Sequence, residues 1–473
     1  MGSINSAFGL MNGALEADQE ALSVVANNVA NANTPGYTVE TPTWQENSPI
    51  EIGGVSLGDG VTETGAQSQR DRVLEQRLDQ QQQLASASST RLTALNSIQA
   101  LFTPDSGSST STAGDIGSDI TGFFDSFSSL DSNPASNALR EEVLSSASTL
   151  AGDISGAASS LNSQRAALDQ DASGVAGQVN SLTSALAQLN LEIQATSPDA
   201  DAGTLEDQRQ QDLSQLSQLI GINQVTTENN GLAITTTSGQ LLVSEGQSFQ
   251  LTTGPVGGVT DFFLGGTDVT SDLASGGGQL GGYLTARDQD IPGALSSLDQ
   301  LAYSISTQVN AKNNMGTDAN GATGTAANPL YIFKEPTQVA GSAEAMSVTM
   351  TDPSQIAAAG AGDGTGDNSN AVAMANLSNQ TIVNGQTPIN FYSNFVSTLG
   401  ATVSEVQTEN TAQNASVTQL QTQSDALSKV NLNDEASAMS MLETSYQAAS
   451  QVFTILNTIM ASALNLGEQA TVT

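Results

Sequence analysis

Glycines and carboxylates are the residues this chain places at spacings that could do chemistry. Gly276, Gly278 and Gly281 form G-x-G-x-x-G, with Asp299 about 20 residues on, the pattern that cradles a pyrophosphate where a buried parallel strand runs into a helix. No such strand precedes it, so a glycine-rich connector is expected. Asp363-Gly364-Thr365-Gly366-Asp367-Asn368 and Asp318-Ala319-Asn320-Gly321 set oxygen ligands beside glycines, yet neither has the closing bidentate Glu of a calcium loop. Both read as solvated loops. An acid pair of the glycosidase kind is invisible in sequence among 48 Asp and Glu residues. It would need a cleft, and the Thr-, Ser- and Gly-rich stretches offer no aromatic-lined groove, Trp44 being the only tryptophan.

What is missing narrows the chemistry further. The 473 residues contain no cysteine and no histidine, which removes disulfides, thiolate nucleophiles, His-ligated metals and His-dependent triads. No cofactor, no metal site and no enzymatic activity are expected. Eleven Lys and Arg against 48 Asp and Glu give a formal charge of -37, which argues against nucleic acid or an anionic membrane surface as partner. There is no basic segment leading into an unbroken apolar core at the start, and no run of about 18 apolar residues, so neither a cleavable secretory signal nor membrane insertion is expected.

The elements that must position these residues are mostly helices. Ile4, Phe8, Met11, Leu15, Leu22, Val25, Val29 and Ala32 recur at steps of three and four, interrupted by Asp18. Near the other end Met439, Leu442, Tyr446, Ala449, Phe453, Leu456, Met460 and Ala463 repeat that rhythm. Such a seam can be buried only by another helix with a matching seam, so the termini are expected to pair with each other, with neighbouring subunits, or both. Arg70–Phe102 and a long stretch from Leu139, with heptads from Leu161 to Ile193, predict further helices, the second ending at Ser197-Pro198. Thr103–Gly122 reads as a loop.

Four short Thr- and Val-rich segments follow between Ile222 and Thr253, with Asn230-Gly231 and Ser238-Gly239 as hairpin turns. Helix returns over Gln279–Asn313 and Asn390–Val430. Between them lies an irregular region holding possible strands at Tyr331-Ile332-Phe333 and Met346–Met350. The expected fold class is mainly α with a β insertion: an elongated rod of long coiled-coil-like helices formed by both termini, with a small all-β outer domain. The expected sections are a terminal helical assembly domain (1–50 with 430–473), a helical rod domain (51–221 with 279–314 and 368–429) and an outer β-rich domain (222–278 with 315–367).

Two motifs then carry a family resemblance. Ala26-Asn27-Asn28-Val29-Ala30-Asn31-Ala32-Asn33-Thr34-Pro35-Gly36-Tyr37-Thr38 resembles the signature of bacterial flagellar axial proteins, the rod, hook and hook-associated subunits. Physically it is a helix stop: the asparagines compete with the backbone, Pro35 forbids continuation and Gly36 permits a left-handed turn. Val430-Asn431-Leu432-Asn433-Asp434-Glu435, with Tyr446-Gln447-Ala448-Ala449, resembles their C-terminal signature. Leu205-Glu206-Asp207-Gln208-Arg209 and Gln279–Asp288 are similar to stretches of the hook-associated protein 1 family.

The resemblance implies an extracellular structural subunit of the flagellum at the junction of hook and filament, exported through the flagellar type III apparatus. The partners it implies are a ring of identical subunits, the hook protein, hook-associated protein 3 and a flagellar export chaperone. The expected subunit-packing residues are Leu15, Leu22, Val25, Asn28, Val29, Asn31, Pro35, Gly36 and Tyr37 at one end, and Leu432, Met439, Leu442, Tyr446, Phe453, Leu456 and Met460 at the other. Tyr446, Phe453 and Leu456 are also the expected chaperone contacts. Another axial subunit of hook or rod type is the nearer alternative; a carboxylate-dependent cell-wall hydrolase fused to axial helices is the alternative from another class.

Overall fold

The computed structural model describes residues 2–52, 55–103, 115–196 and 201–469. Helix α1 (Gly2–Asn31) leads into strands β1 (Glu40–Glu46), β2 (Ile50–Ile52), β3 (Val55–Leu57) and β4 (Val61–Ser68). Helices α2 (Arg72–Ala100), α3 (Ile116–Ser132), α4 (Asn137–Thr196) and α5 (Thr204–Leu219) follow. Next come β5 (Ile222–Thr226), β6 (Leu232–Thr236), β7 (Leu241–Ser244), β8 (Gln247–Ser248), β9 (Leu251–Val256), β10 (Val259–Leu264) and β11 (Thr267–Asp268). The chain ends through α6 (Thr270–Gly276), α7 (Gly278–Thr285), a π-helical turn (Ala286–Asp290), α8 (Ile291–Met315), α9 (Ser369–Ala375), α10 (Pro388–Ser428) and α11 (Leu432–Gln469). Long helices with small antiparallel sheets are the architecture the hydrophobic periods predict.

The residues gather into two compact units. The first comprises Met1–Gln83, Val179–Gln250 and Asn414–Thr473. Here α1 packs along α11 and against the β1–β4 ribbon. The antiparallel meander β5-β6-β7-β8 buries Ile222, Leu232, Ile234, Leu242 and Val243. Asn229 and Asn230 hold the left-handed conformations of the hairpin turn.

The second unit comprises Leu84–Gln178 and Leu251–Gln413. Its core joins Leu95 and Ile98 of α2, the phenylalanines of α3, Leu150, Ile154 and Leu161 of α4, and Leu298, Leu301 and Ile305 of α8. Phe123 meets Phe124, Phe127 and Phe333 at ring-centre distances of 5.1, 5.4 and 5.4 Å. Buried Arg287, in the π-helical turn, donates to Asp169 and to the Thr260 carbonyl, each at 2.6 Å, and so ties α4 to β10.

Several local expectations change. From Ile116 the expected loop Thr103–Gly122 is helix, because Asp115 caps it by accepting from Gly117 N (3.1 Å) and Ile116, Ile120 and Phe123 are buried; residues 104–114 of that stretch lie outside the described residues. Ser197-Pro198, the expected end of the long helix, also lies outside them. Tyr331-Ile332-Phe333 and Met346–Met350 form a single bridge, Phe333 to Val348, and not a longer ladder: Thr349 N donates to Ile332 O (2.9 Å), but Asn310 of α8 takes both Phe333 N (3.0 Å) and Phe333 O (2.9 Å). The β1–β4 ribbon was not anticipated, since its polar strands lack an alternating apolar face.

Candidate assembly site

Each terminal motif builds one side of a junction within the first unit. Helix α1 stops at Asn31, whose side chain folds back to Asn27 Oδ1 (2.8 Å) and accepts from Thr34 Oγ1 (3.1 Å). Tyr37 N closes the turn on Thr34 O (3.2 Å), with Pro35 at its second position and Gly36 at φ 79, the left-handed residue that a type II turn requires.

Asn28 is the hub. It is 1% exposed, and its amide uses both donors and both lone pairs. Nδ2 donates to Glu40 O (2.8 Å) and to Glu435 Oε2 (3.2 Å); Oδ1 accepts from Glu40 N (3.0 Å) and Tyr37 OH (2.8 Å). One amide thus joins α1, the turn, β1 and the start of α11, which is 407 residues away in sequence. Val39 N adds a second tie, to Ser428 O (2.8 Å). Burial first, and the nearby charges of Glu40, Asp207 and Glu435 after it, push the Tyr37 hydroxyl upward, so it remains a protonated donor.

The Glu206-Asp207-Gln208-Arg209 stretch braces this junction from α5. Asp207 accepts from Thr38 N (3.1 Å) and from Arg70, which also donates to Thr38 Oγ1 (3.3 Å). Glu206 receives Arg72 (2.9 and 3.1 Å) and Asn230 (2.7 Å), while Arg209 donates to Asn230 O (2.7 Å). Burial alone would raise Glu206, but Asn230 and the arginines hold it below the ordinary range.

The predicted packing residues separate into classes. On α1 the most buried line is Ala17, Ala21, Val25 and Asn28, with Leu15, Leu22 and Asn31 half-buried and Val29 40% exposed. Small alanines therefore make the closest contacts, since both a helix and a ribbon approach this helix. Pro35 and Gly36 are exposed and Tyr37 is half-buried. On α11 Met439, Leu442, Phe453, Leu456 and Met460 are half-buried, and Phe453 meets Phe8 edge to face at 5.2 Å. Tyr446 and Leu432 are exposed at 39% and 53%.

A second stripe escaped the sequence reading. Met441, Val452, Ile455 and Ile459 are 69, 42, 57 and 47% exposed on α11 and recur, through Ala448, at helical steps of seven, four, three and four. The signal was present, a helix apolar on two faces, but the stronger seam masked it. Exposed large apolar groups in a row mark an interaction surface.

A pair of acids sits beneath the turn. Burial pushes Glu75 up to about 7, with the Asp79 charge adding and Arg70 opposing; burial also pushes Asp79 up to about 6 against its bonds from Gln210 and Gln224. Both folded values lie above the unfolded ones, so these acids favour the fold below the ordinary carboxylate range, and that stability is lost as pH rises through about 6 and about 7. The Glu75→Gln/Asp79→Asn chain is expected to lose on the order of 3 kcal/mol less than the parent between pH 5 and 7.5. Denaturant melts at both pH values check this, and equal losses would refute it.

The other chemistry-bearing motifs are committed to structure. Gly276–Gly281 turns one helix into the next, Gly277 and Gly278 having positive φ; a Cβ on neighbouring Gly282 would lie 2.6 Å from Ala87 O. Asp299 accepts from Gly341 N (2.9 Å) and Ala343 N (2.8 Å). Asp318 and Asp367 accept turn N–H groups, Asn320 N and Gly360 N, at 2.8 Å each. Burial, with the neighbouring carboxyl of Asp153 after it, pushes Asp119 upward.

Residues 105–327 match the family model of the flagellar hook-associated protein FlgK helical domain, and residues 12–38 that of the flagella basal body rod protein. Flagellar hook-associated protein 1 of Salmonella typhimurium is 28% identical over 322 residues, 66% of this chain and 57% of that protein. Its Escherichia coli counterpart is 26% identical over 73% of this chain and 64% of its own length, and the Bacillus subtilis one 25% identical over 96% of each. The match thus spans under two thirds of the enterobacterial relatives. The flagellar hook junction protein FlgK from Burkholderia pseudomallei has a similar fold, with a TM-score of 0.64, 19% identity, and 73% and 99% of the two chains covered.

Proposed function

We propose, for a chain that carries the helical domain of the flagellar hook-associated proteins and the rod-protein motif at its start, that it is a structural subunit of the flagellar axial structure forming the junction between hook and filament. The observation that carries this reading is the joined pair α1 and α11, locked by Asn28 to Glu435, with a second apolar stripe left outside. A closed pair with a spare apolar face is what a subunit needs to add to a row of identical copies.

Assembly is coupled to ordering in this reading. At about 25 cal/mol per Å² of apolar area, a helix hiding a few hundred Å² against neighbours gains several kcal/mol, enough to offset the entropy of ordering part of its backbone. The partners are further copies in a ring, hook protein on one side and hook-associated protein 3 on the other. The chain would reach this extracellular position through the flagellar type III apparatus. Phe453 packs on Phe8 of α1 and Leu456 is half-buried, so an export chaperone would hold them, with Tyr446, only while α11 is unpaired. The match of the hook-associated helical domain over 105–327 favours this role over a hook or rod subunit.

Electron microscopy of cells lacking this chain tests the role. Bare hooks with filament subunits shed into the medium are expected, whereas missing hooks would assign the chain to hook or rod. A chain cut before Thr38 is expected to remain soluble with the second unit folded, and to fail to join the flagellum; normal incorporation would overturn the reading.

A further inference from the structure

A groove of about 610 Å³ in the first unit is lined by Tyr37, Arg70, Glu75, Asp79, Gln211 and Asp425, among others. Asp79 is 1% exposed; its Oδ2 accepts from Gln210 (3.0 Å) and Gln224 (2.8 Å), while its Oδ1 has no partner. A buried carboxylate oxygen without a donor is costly to leave unanswered. Glu75 lies one turn earlier on the same face, 3.7 Å from Arg70, whose guanidinium is already engaged by Asp207. At about 100° per residue, Arg77 lies on the opposite face of α2 from both acids, and it is exposed. The other seven arginines, 70, 72, 91, 140, 165, 209 and 287, each donate a hydrogen bond within the chain. Among the described residues Arg77 is the guanidinium with no partner.

We propose that this groove receives Arg77 of a second copy, so that α2 presents its acids to one neighbour and its cation to the next. The proposal rests on the ring reading above and deepens it. A contact between two different patches is the heterologous kind that closes a ring, and a planar guanidinium can bond the free oxygen of Asp79 and the Glu75 carboxylate together. Charge complementarity selects a copy of this chain over an apolar peptide, since Glu75, Asp79, Asp207 and Asp425 line the groove against Arg70 and Lys429 and leave it net acidic, floored by a desolvated carboxylate.

The chain has no cysteine, so introduced ones report unambiguously. Gln80 lies beside Arg77 on the exposed side of α2, and Gln211 is exposed on the groove wall. Gln80→Cys and Gln211→Cys chains, produced together in cells lacking the native chain, are expected to cross-link in isolated flagella with a short bismaleimide, and neither alone. Adding Arg77→Glu is expected to lower the cross-linked fraction at least about tenfold, with Arg77→Lys retaining most of it. Incorporated subunits that do not cross-link, Gln80→Cys chains that cross-link to themselves, or cross-linking indifferent to Arg77→Glu would each overturn the contact. Absence of both chains from flagella whose hooks and filaments are intact would instead overturn the junction role, and the contact with it.

Discussion

Replacing Asn28 with alanine is expected to unlock the termini and cost about 3 kcal/mol or more in the first unit. The substitution strands the Tyr37 hydroxyl, the Glu40 N–H and carbonyl, and the Glu435 carboxylate in a buried place, at about 1–3 kcal/mol for each group left unpaired. Hydrogen exchange should show residues 28–40 and 432–445 losing protection together, while the phenylalanine core of the second unit keeps its own. Asn28→Asp is the sharper variant. It retains both acceptors but sets a carboxylate against Glu435, so its damage should ease as pH falls into the carboxylate range. Native protection in the alanine variant would show that Asn28 is not the lock.

The second large effect separates the two faces of α11. Ile455→Asp with Ile459→Asp alters side chains 57% and 47% exposed in the single chain, so the variant should fold and pair α1 with α11 as the parent does. Burying each isoleucine against a neighbour would contribute about 1.5–3 kcal/mol, and losing both, with two charges added, should weaken assembly more than about a hundredfold. The cell phenotype is bare hooks with shed filament subunits. Phe453→Asp with Leu456→Asp should act differently, breaking the edge-to-face contact with Phe8 and loosening the helix pair before any neighbour is met. If the outer pair of substitutions leaves filaments attached, the exposed stripe is not the assembly face.

Much of this molecule can be read from local chemistry. Helix periodicity is written within four residues of every position, which is why α2, α4, α8, α10 and α11 lie close to where their seams place them. The stop at Asn31 follows from residues that are themselves the stop, the Asn cluster, Pro35 and Gly36. The meander after Ile222 announces itself through β-branched residues and the Asn230-Gly231 and Ser238-Gly239 turns. The short polar motif at Glu206-Asp207 stands out only through its family resemblance, which does not say what it holds.

Tertiary structure alone decided the partnerships. That Asn28 meets Glu435 across 407 residues, or that Asp207 reaches Thr38, depends on how distant elements pack, and neither side chain differs in type from dozens of solvated neighbours. The β1–β4 ribbon is polar because little of either strand is buried, so no apolar alternation betrays it. The buried line on α1 shifted to alanines because close approach favours small side chains, which carry little hydrophobic signal. The inner and outer stripes of α11 are both apolar; the position of α1 covers one and leaves the other exposed. Sequence determined which segments are helical, where they stop and which chemistries are absent, because those are properties of neighbouring residues. Which surfaces remain for other molecules was settled by folding, because exposure is defined only after every other element has taken its place.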